Sequence, residues 1–256
     1  MINSSKLEYQ NTDFDSYVEY DTVANEILGK ASRFTGINVI DLHSIDIINY
    51  FRLTYNIQFI NYTKAPPIFD SYRERLQAQV PKLTDCIKMV DPVFSEKTSG
   101  FTTIVSGEYV VFLNLDVVDK SPQRYIFTVL HELVHIYHHL SNKYIRNLFA
   151  NSNVEEDYPI FFNEYENQAN YIASILCVND WALIDNLNNE MTFNELCTEY
   201  QMSGPAVYNR LKNFLQHTLQ LNRYERSRVL YNYRYNNDFV GMHTIVRIWI
   251  TETDIM

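Results

Sequence analysis

Residues 121–141 read SPQRYIFTVLHELVHIYHHLS, and this stretch decides how the chain folds. Ser121-Pro122 opens a helix, because proline is tolerated in a first turn, where its missing N–H has no partner to lose. Ile126, Phe127, Val129, Leu130, Leu133, Val134 and Tyr137 form a thick apolar band around that helix, which predicts a buried core element. Within the band lie His131, Glu132 and His135. Histidines at i and i+4 share one helical face with their Cβ atoms about 5–6 Å apart, so both imidazoles reach one ion. Glu132 is turned about 100° away, too far to be a third ligand but beside the water of such a centre. Zinc lowers the pKa of that water to about 7, and a neighbouring carboxylate can take its proton. A chain of this composition holds a His-Glu-x-x-His by chance roughly once in a hundred. Structural coincidence is therefore the weaker reading, since three buried polar groups are costly unless something compensates, and a metal ion does.

A third ligand has to come from another element, leaving one position open. The segment from about Asn163 to Val178 reads as a helix whose inward stripe is Ala169, Ile172, Ala173 and Leu176. Glu166 continues that stripe, whereas Glu164 lies about 200° away and is expected to face solvent. Glu166 is the expected third ligand and Glu164 the next choice; against both, acids near a helix start are often solvated and favoured by the dipole. The two alanines let this helix approach the histidine helix closely. His139, at i+4 from His135, is expected to be a cation at the helix end rather than a ligand. Tyr137 and Asn170 are candidates for hydrogen bonds near the site.

Outward from this pair of helices, Phe101–Val105, Ser106-Gly107-Glu108 and Tyr109–Leu113 read as strand, turn, strand. Residues 16–60 are expected to be helical in pieces, with Val23, Ile27 and Leu28 on one face and a second helix opening at Ser44-Ile45-Asp46. A short strand is expected at Asn56–Ile60 and a charged helix over 70–80. Two short helices are expected within 192–216, and an alternating tail at His243–Thr251 reads as a possible strand. Only six glycines and seven prolines punctuate 256 residues, which favours long helices over a β-sandwich or barrel. The fold class is α+β, divided at about 1–185 and 186–256.

A net charge of −10 opposes contact with polyanions. No run of 18 or more apolar residues is present, and the polar, acidic start MINSSKLEYQ is unlike a signal peptide. Cys86, Cys177 and Cys197 are far apart and form no Cys-x-x-Cys pair, which argues against a disulfide framework or thiolate zinc site. A cytoplasmic protein is expected.

The stretch Arg124–His135, followed by Glu166-Asn167-Gln168-Ala169-Asn170-Tyr171-Ile172-Ala173, resembles the ImmA/IrrE family of metallopeptidases. Asn114, closing Phe112-Leu113-Asn114, matches the family's strand that ends just before the active-site helix. The resemblance implies a zincin-like core with a small sheet packed on helices. It also implies Zn2+ held by His131, His135 and Glu166, with Glu132 as catalytic base. The implied substrate is a helix-turn-helix repressor of a phage, mobile element or stress regulon. Two departures stand out: Val134 replaces the family's glycine, and Leu176-Cys177-Val178-Asn179 replaces Leu-Leu-Met-Pro. Neither touches a ligand.

Residues 191–216 read as a helical hairpin, with a turn at Gln201-Met202, Ser203 as N-cap and Pro205 in the first turn of the second helix. This resembles a helix-turn-helix. Residues 201–235 hold six basic side chains, Arg210, Lys212, Arg223, Arg226, Arg228 and Arg234, and a single acid, Glu225. DNA contact is the weaker reading, because the rest of the chain is strongly acidic. The alternative to an enzyme is a non-catalytic regulatory protein that binds a repressor or DNA.

Overall fold

The computed structural model describes residues 12–63, 85–88, 99–118, 122–141 and 159–253. Helix α1 (Phe14–Thr35) is capped by Asp13, which accepts from Ser16 N, and ends at Gly36 with φ of 74°. Helix α2 (Ser44–Tyr55) starts with Asp46 reaching back to the His43 N–H and ends in left-handed Asn56. Because Asn56 serves as that cap, strand β1 begins two residues later than expected and spans Gln58–Thr63. Strands β2 (Asp85–Lys88), β3 (Gly100–Val105) and β4 (Glu108–Asn114) complete a four-stranded sheet in the order β2-β1-β4-β3.

β1 pairs in parallel with both β2 and β4, while β3 and β4 form the expected antiparallel hairpin. Its loop is Ser106-Gly107, both with positive φ, the two-residue turn whose twist matches the strands it joins. Asn114 is fully buried, and its Oδ1 accepts from Asp116 N at 3.1 Å, turning the chain into the short helix α3 (Leu115–Val118).

Helix α4 (Pro122–Ser141) packs against β3 and β4 on one side and against α2 and helix α5 (Pro159–Cys177) on the other. Val129, Leu130, Leu133, Val134 and Ile136 are all buried, so the apolar band does enclose the helix. On α5 the expected stripe Ala169, Ile172, Ala173 and Leu176 is buried in the same core. Val134 in place of glycine is accommodated with no exposure.

Helices α6 (Asp180–Asn188), α7 (Phe193–Glu199) and α8 (Gly204–Asn213) follow, then a π turn over Phe214–Thr218 and helix α9 (Arg223–Tyr235). α7 and α8 are the expected hairpin. Thr192 and Glu195 cap α7 reciprocally, and Ser203 caps α8. The tail corrects one expectation: Phe239–Thr253 is helix α10, not a strand. Met242 and Val246 are buried and Phe239, Ile245, Trp249 and Ile250 pack beside them, a helical spacing of three and four. A short run of β-branched residues carries both periods, and docking on α6 and α9 selects this one. The charged helix expected over 70–80 lies outside the described residues. No helix among the described residues is long and apolar enough to cross a membrane.

Candidate metal centre

α4 and α5 bring together the three side chains expected as ligands. His131 Nε2 lies 3.1 Å from Glu166 Oε2, His135 Nε2 lies 3.2 Å from Glu166 Oε1, and the two imidazole nitrogens are 3.0 Å apart. The rings stand nearly perpendicular, at 80°, which aims both nitrogens at one point rather than stacking the rings. Ligands held about 2.0–2.1 Å from a tetrahedral ion sit about 3.3 Å from one another, so three atoms this close fit a small divalent cation. Among the described residues, this is the one His/Cys/Asp/Glu group that could hold a metal ion. Glu164 is exposed, as its helical angle requires.

The electrostatics suit a cation. Burial raises the Glu166 pKa, but hydrogen bonds and charge from His131 and His135 outweigh it and hold the carboxyl well below the usual carboxylate range. Burial lowers the His131 pKa, yet Glu166, Glu132 and a hydrogen bond with Asn170 outweigh it, so the net shift is upward. Asn170 lies one turn beyond Glu166 on α5, so the same helix supplies the carboxylate and a hydrogen-bond partner that fixes the His131 ring.

Glu132 is buried beside the three. Its Oε2 accepts a hydrogen bond from Thr102 Oγ1 at 2.8 Å, a contact from β3 that no spacing within α4 could reveal. One further expectation is corrected. Tyr137 turns away from the site: its hydroxyl accepts from Lys30 Nζ at 2.8 Å and donates to Glu26 Oε2 at 2.6 Å, fastening α1 to α4. His139 does lie in the last turn of α4, but it is only 5 % exposed, with Nδ1 2.7 Å from the Tyr109 hydroxyl of β4. The hydrophobic band of α4 is wide enough to draw that ring inside. His138 is also largely covered, and burial together with His135 lowers its pKa to about 4.

Residues 90–212 match the Peptidase_M78 family model, the IrrE N-terminal-like domain. This stretch is a Peptidase_M78 segment. It contains His131, Glu132, His135 and Glu166, and it agrees with the ImmA/IrrE resemblance carried by 124–135 and 166–173. It supports a peptidase of the metal-dependent type, and it runs through α7 to near the end of α8. No curated protein and no solved structure gives a match to the chain.

At the C-terminal side of the Peptidase_M78 segment, the basic surface is smaller than the sequence count implied. Arg210 is 1 % exposed. It donates to Val178 O at 2.9 Å, to the Tyr17 hydroxyl at 3.4 Å and to the Asp180 carboxylate, so its charge is spent inside the fold. Arg234 lies over the rings of Phe193, Tyr208 and Tyr235. Asp180 also accepts from Thr218 Oγ1 at 2.5 Å, so this buried network ties α8 and the π turn to α6 and α1.

Proposed function

We propose that the protein is a zinc-dependent endopeptidase of the cytoplasm that cuts one protein substrate, a helix-turn-helix repressor. The observation that carries this reading is the convergence of His131, His135 and Glu166 with Glu132 buried at their side. In this reading His131, His135 and Glu166 are the metal ligands. Zinc bound there would polarise the scissile carbonyl and acidify water.

Glu132 then accepts a proton from the attacking water and returns it to the departing amine, so one carboxylate serves as base and acid in turn. The apolar wall of α4 keeps that carboxylate largely out of bulk solvent, which strengthens its interaction with charge developing at the carbonyl. The repressor as substrate is supported by the family resemblance, and three scattered cysteines fit a reducing compartment. Reading of DNA by the hairpin is less well supported, because Arg210 is paired internally.

Glu132→Gln is expected to keep one equivalent of zinc while cleavage of a candidate repressor falls by three or more orders of magnitude, on the order of what loss of a general base costs. Zinc content by elemental analysis and fragment formation on a gel read the two effects separately. Undiminished cleavage by the Glu132→Gln protein would refute the reading.

A further inference from the structure

β3 is an outer strand of the described sheet and runs against α4. The two come close at Gly100, where a Cβ would sit 2.8 Å from Thr128 Cγ2 and 3.1 Å from the Phe112 carbonyl oxygen. Both neighbours are part of the packed layer, so a side chain at 100 would force strand and helix apart. Two residues along a strand advance about 6.6 Å, and four along a helix about 6.0 Å. Gly100 against Thr128 therefore sets Thr102 against Glu132, and alternate strand residues face the same side. The hydrogen bond from Thr102 Oγ1 to Glu132 Oε2, at 2.8 Å, is the product of that register.

A glutamate side chain has three rotatable bonds and, untethered, samples several rotamers. A carboxylate also has two equivalent oxygens, only one of which can face the reacting water. We propose that Thr102 is the positioning residue for Glu132: its hydroxyl holds Oε2, leaving Oε1 as the oxygen that takes and returns the proton. Gly100 sets the strand-to-helix distance that makes this possible. Water loses its proton to Oε1 as its oxygen bonds to the carbonyl carbon. The same proton passes to the amine nitrogen as the C–N bond breaks, and Thr102 keeps its own proton throughout. The inference rests on the peptidase reading for its consequence in turnover, but not for the hydrogen bond itself.

The test compares wild type with Thr102→Val, Thr102→Ser, Gly100→Ala and Glu132→Gln. Valine keeps the shape and strand preference of threonine and removes only the donor. With zinc-loaded protein and fluorescein-labelled casein, Thr102→Val is expected to lower kcat about ten- to a hundredfold, the effect of losing one hydrogen bond to a charged group. KM and bound zinc stay at wild-type values, and Thr102→Ser restores most of the turnover. Independently of activity, protein labelled with 13C at the glutamate carboxyl carbons gives a Glu132 signal, assigned by its loss in Glu132→Gln. That signal should move in Thr102→Val and in Gly100→Ala and hold its place in Thr102→Ser. A Glu132 signal unmoved by Thr102→Val, or equal kcat in wild type and Thr102→Val while Glu132→Gln is dead, overturns the proposal. If casein stays whole even with wild type, as a peptidase confined to one substrate allows, the carboxyl signal alone decides the role of Thr102.

Discussion

Replacing Glu166 by glutamine isolates what the carboxylate does for the centre. The substitution keeps the side-chain length and an acceptor oxygen but removes the charge that faces two imidazoles at 3.1 and 3.2 Å. With the carboxylate gone, His131 and His135 still present nitrogens 3.0 Å apart, yet the anionic ligand is replaced by a weaker, neutral amide oxygen. A ligand that binds only the folded chain stabilises it by about 4 kcal/mol when present at a thousand times its dissociation constant. For a chain of this size each kcal/mol moves the melting temperature by about 2–4 °C, so zinc should raise that of wild type by about 8–16 °C. Glu166→Gln should lose most of this shift and bind far less than one equivalent. Differential scanning calorimetry of chelated and zinc-loaded protein, with elemental analysis of the same samples, measures both. A Glu166→Gln protein that retains one equivalent of zinc and the full wild-type shift would refute the assignment of the third ligand.

Two predictions concern the network beneath α1. Arg210→Met strips the cation from part-buried Asp180 and from nearby Asp21, leaves the buried partner groups of Arg210 unmet, and should destabilise the fold by about 3–5 kcal/mol in urea unfolding; a loss under about 1 kcal/mol would contradict the pairing. Burial, with the charge of Asp180, raises the Asp21 pKa from 3.8 to about 6, partly offset by Arg210 and by Asn25. The folded chain then holds a proton on Asp21 that the unfolded chain releases, so this contribution is full below pH 3.8 and is lost as pH rises through about 6. Asp21→Asn should flatten that part of the stability curve, and an unchanged slope between pH 4 and 6 would refute the shift.

Most of the site could be read from local periodicity. His131 and His135 share a face because of the helical repeat, and Glu166 continues a stripe of small and apolar residues that had to face inward. These are properties of single helices, and the hydrophobic effect turns the stripe toward the core whatever lies opposite. Where the same logic failed, a second element had intervened. Tyr137 looked like a neighbour of the site, but α1 offered Lys30 and Glu26 on the opposite side of α4. From α4 alone His139 reads as a helix-end cation, and only β4 brings the Tyr109 hydroxyl to its ring. The run at 243–251 carried both a strand and a helix period, and only packing on α6 and α9 chose between them.

By itself, then, the amino-acid order determined the α+β class, the helix that carries His131, Glu132 and His135, and the choice of Glu166 over Glu164. Tertiary structure decided what no spacing encodes: that β3 lies close enough at Gly100 for Thr102 to hold Glu132, that Asn170 meets His131, and that Arg210 is consumed by Asp180. The physical reason is the range of the forces involved. Side chains three or four residues apart on a helix meet by geometry alone, whereas a hydrogen bond across 30 residues of chain exists only after strand register and helix packing have fixed both partners.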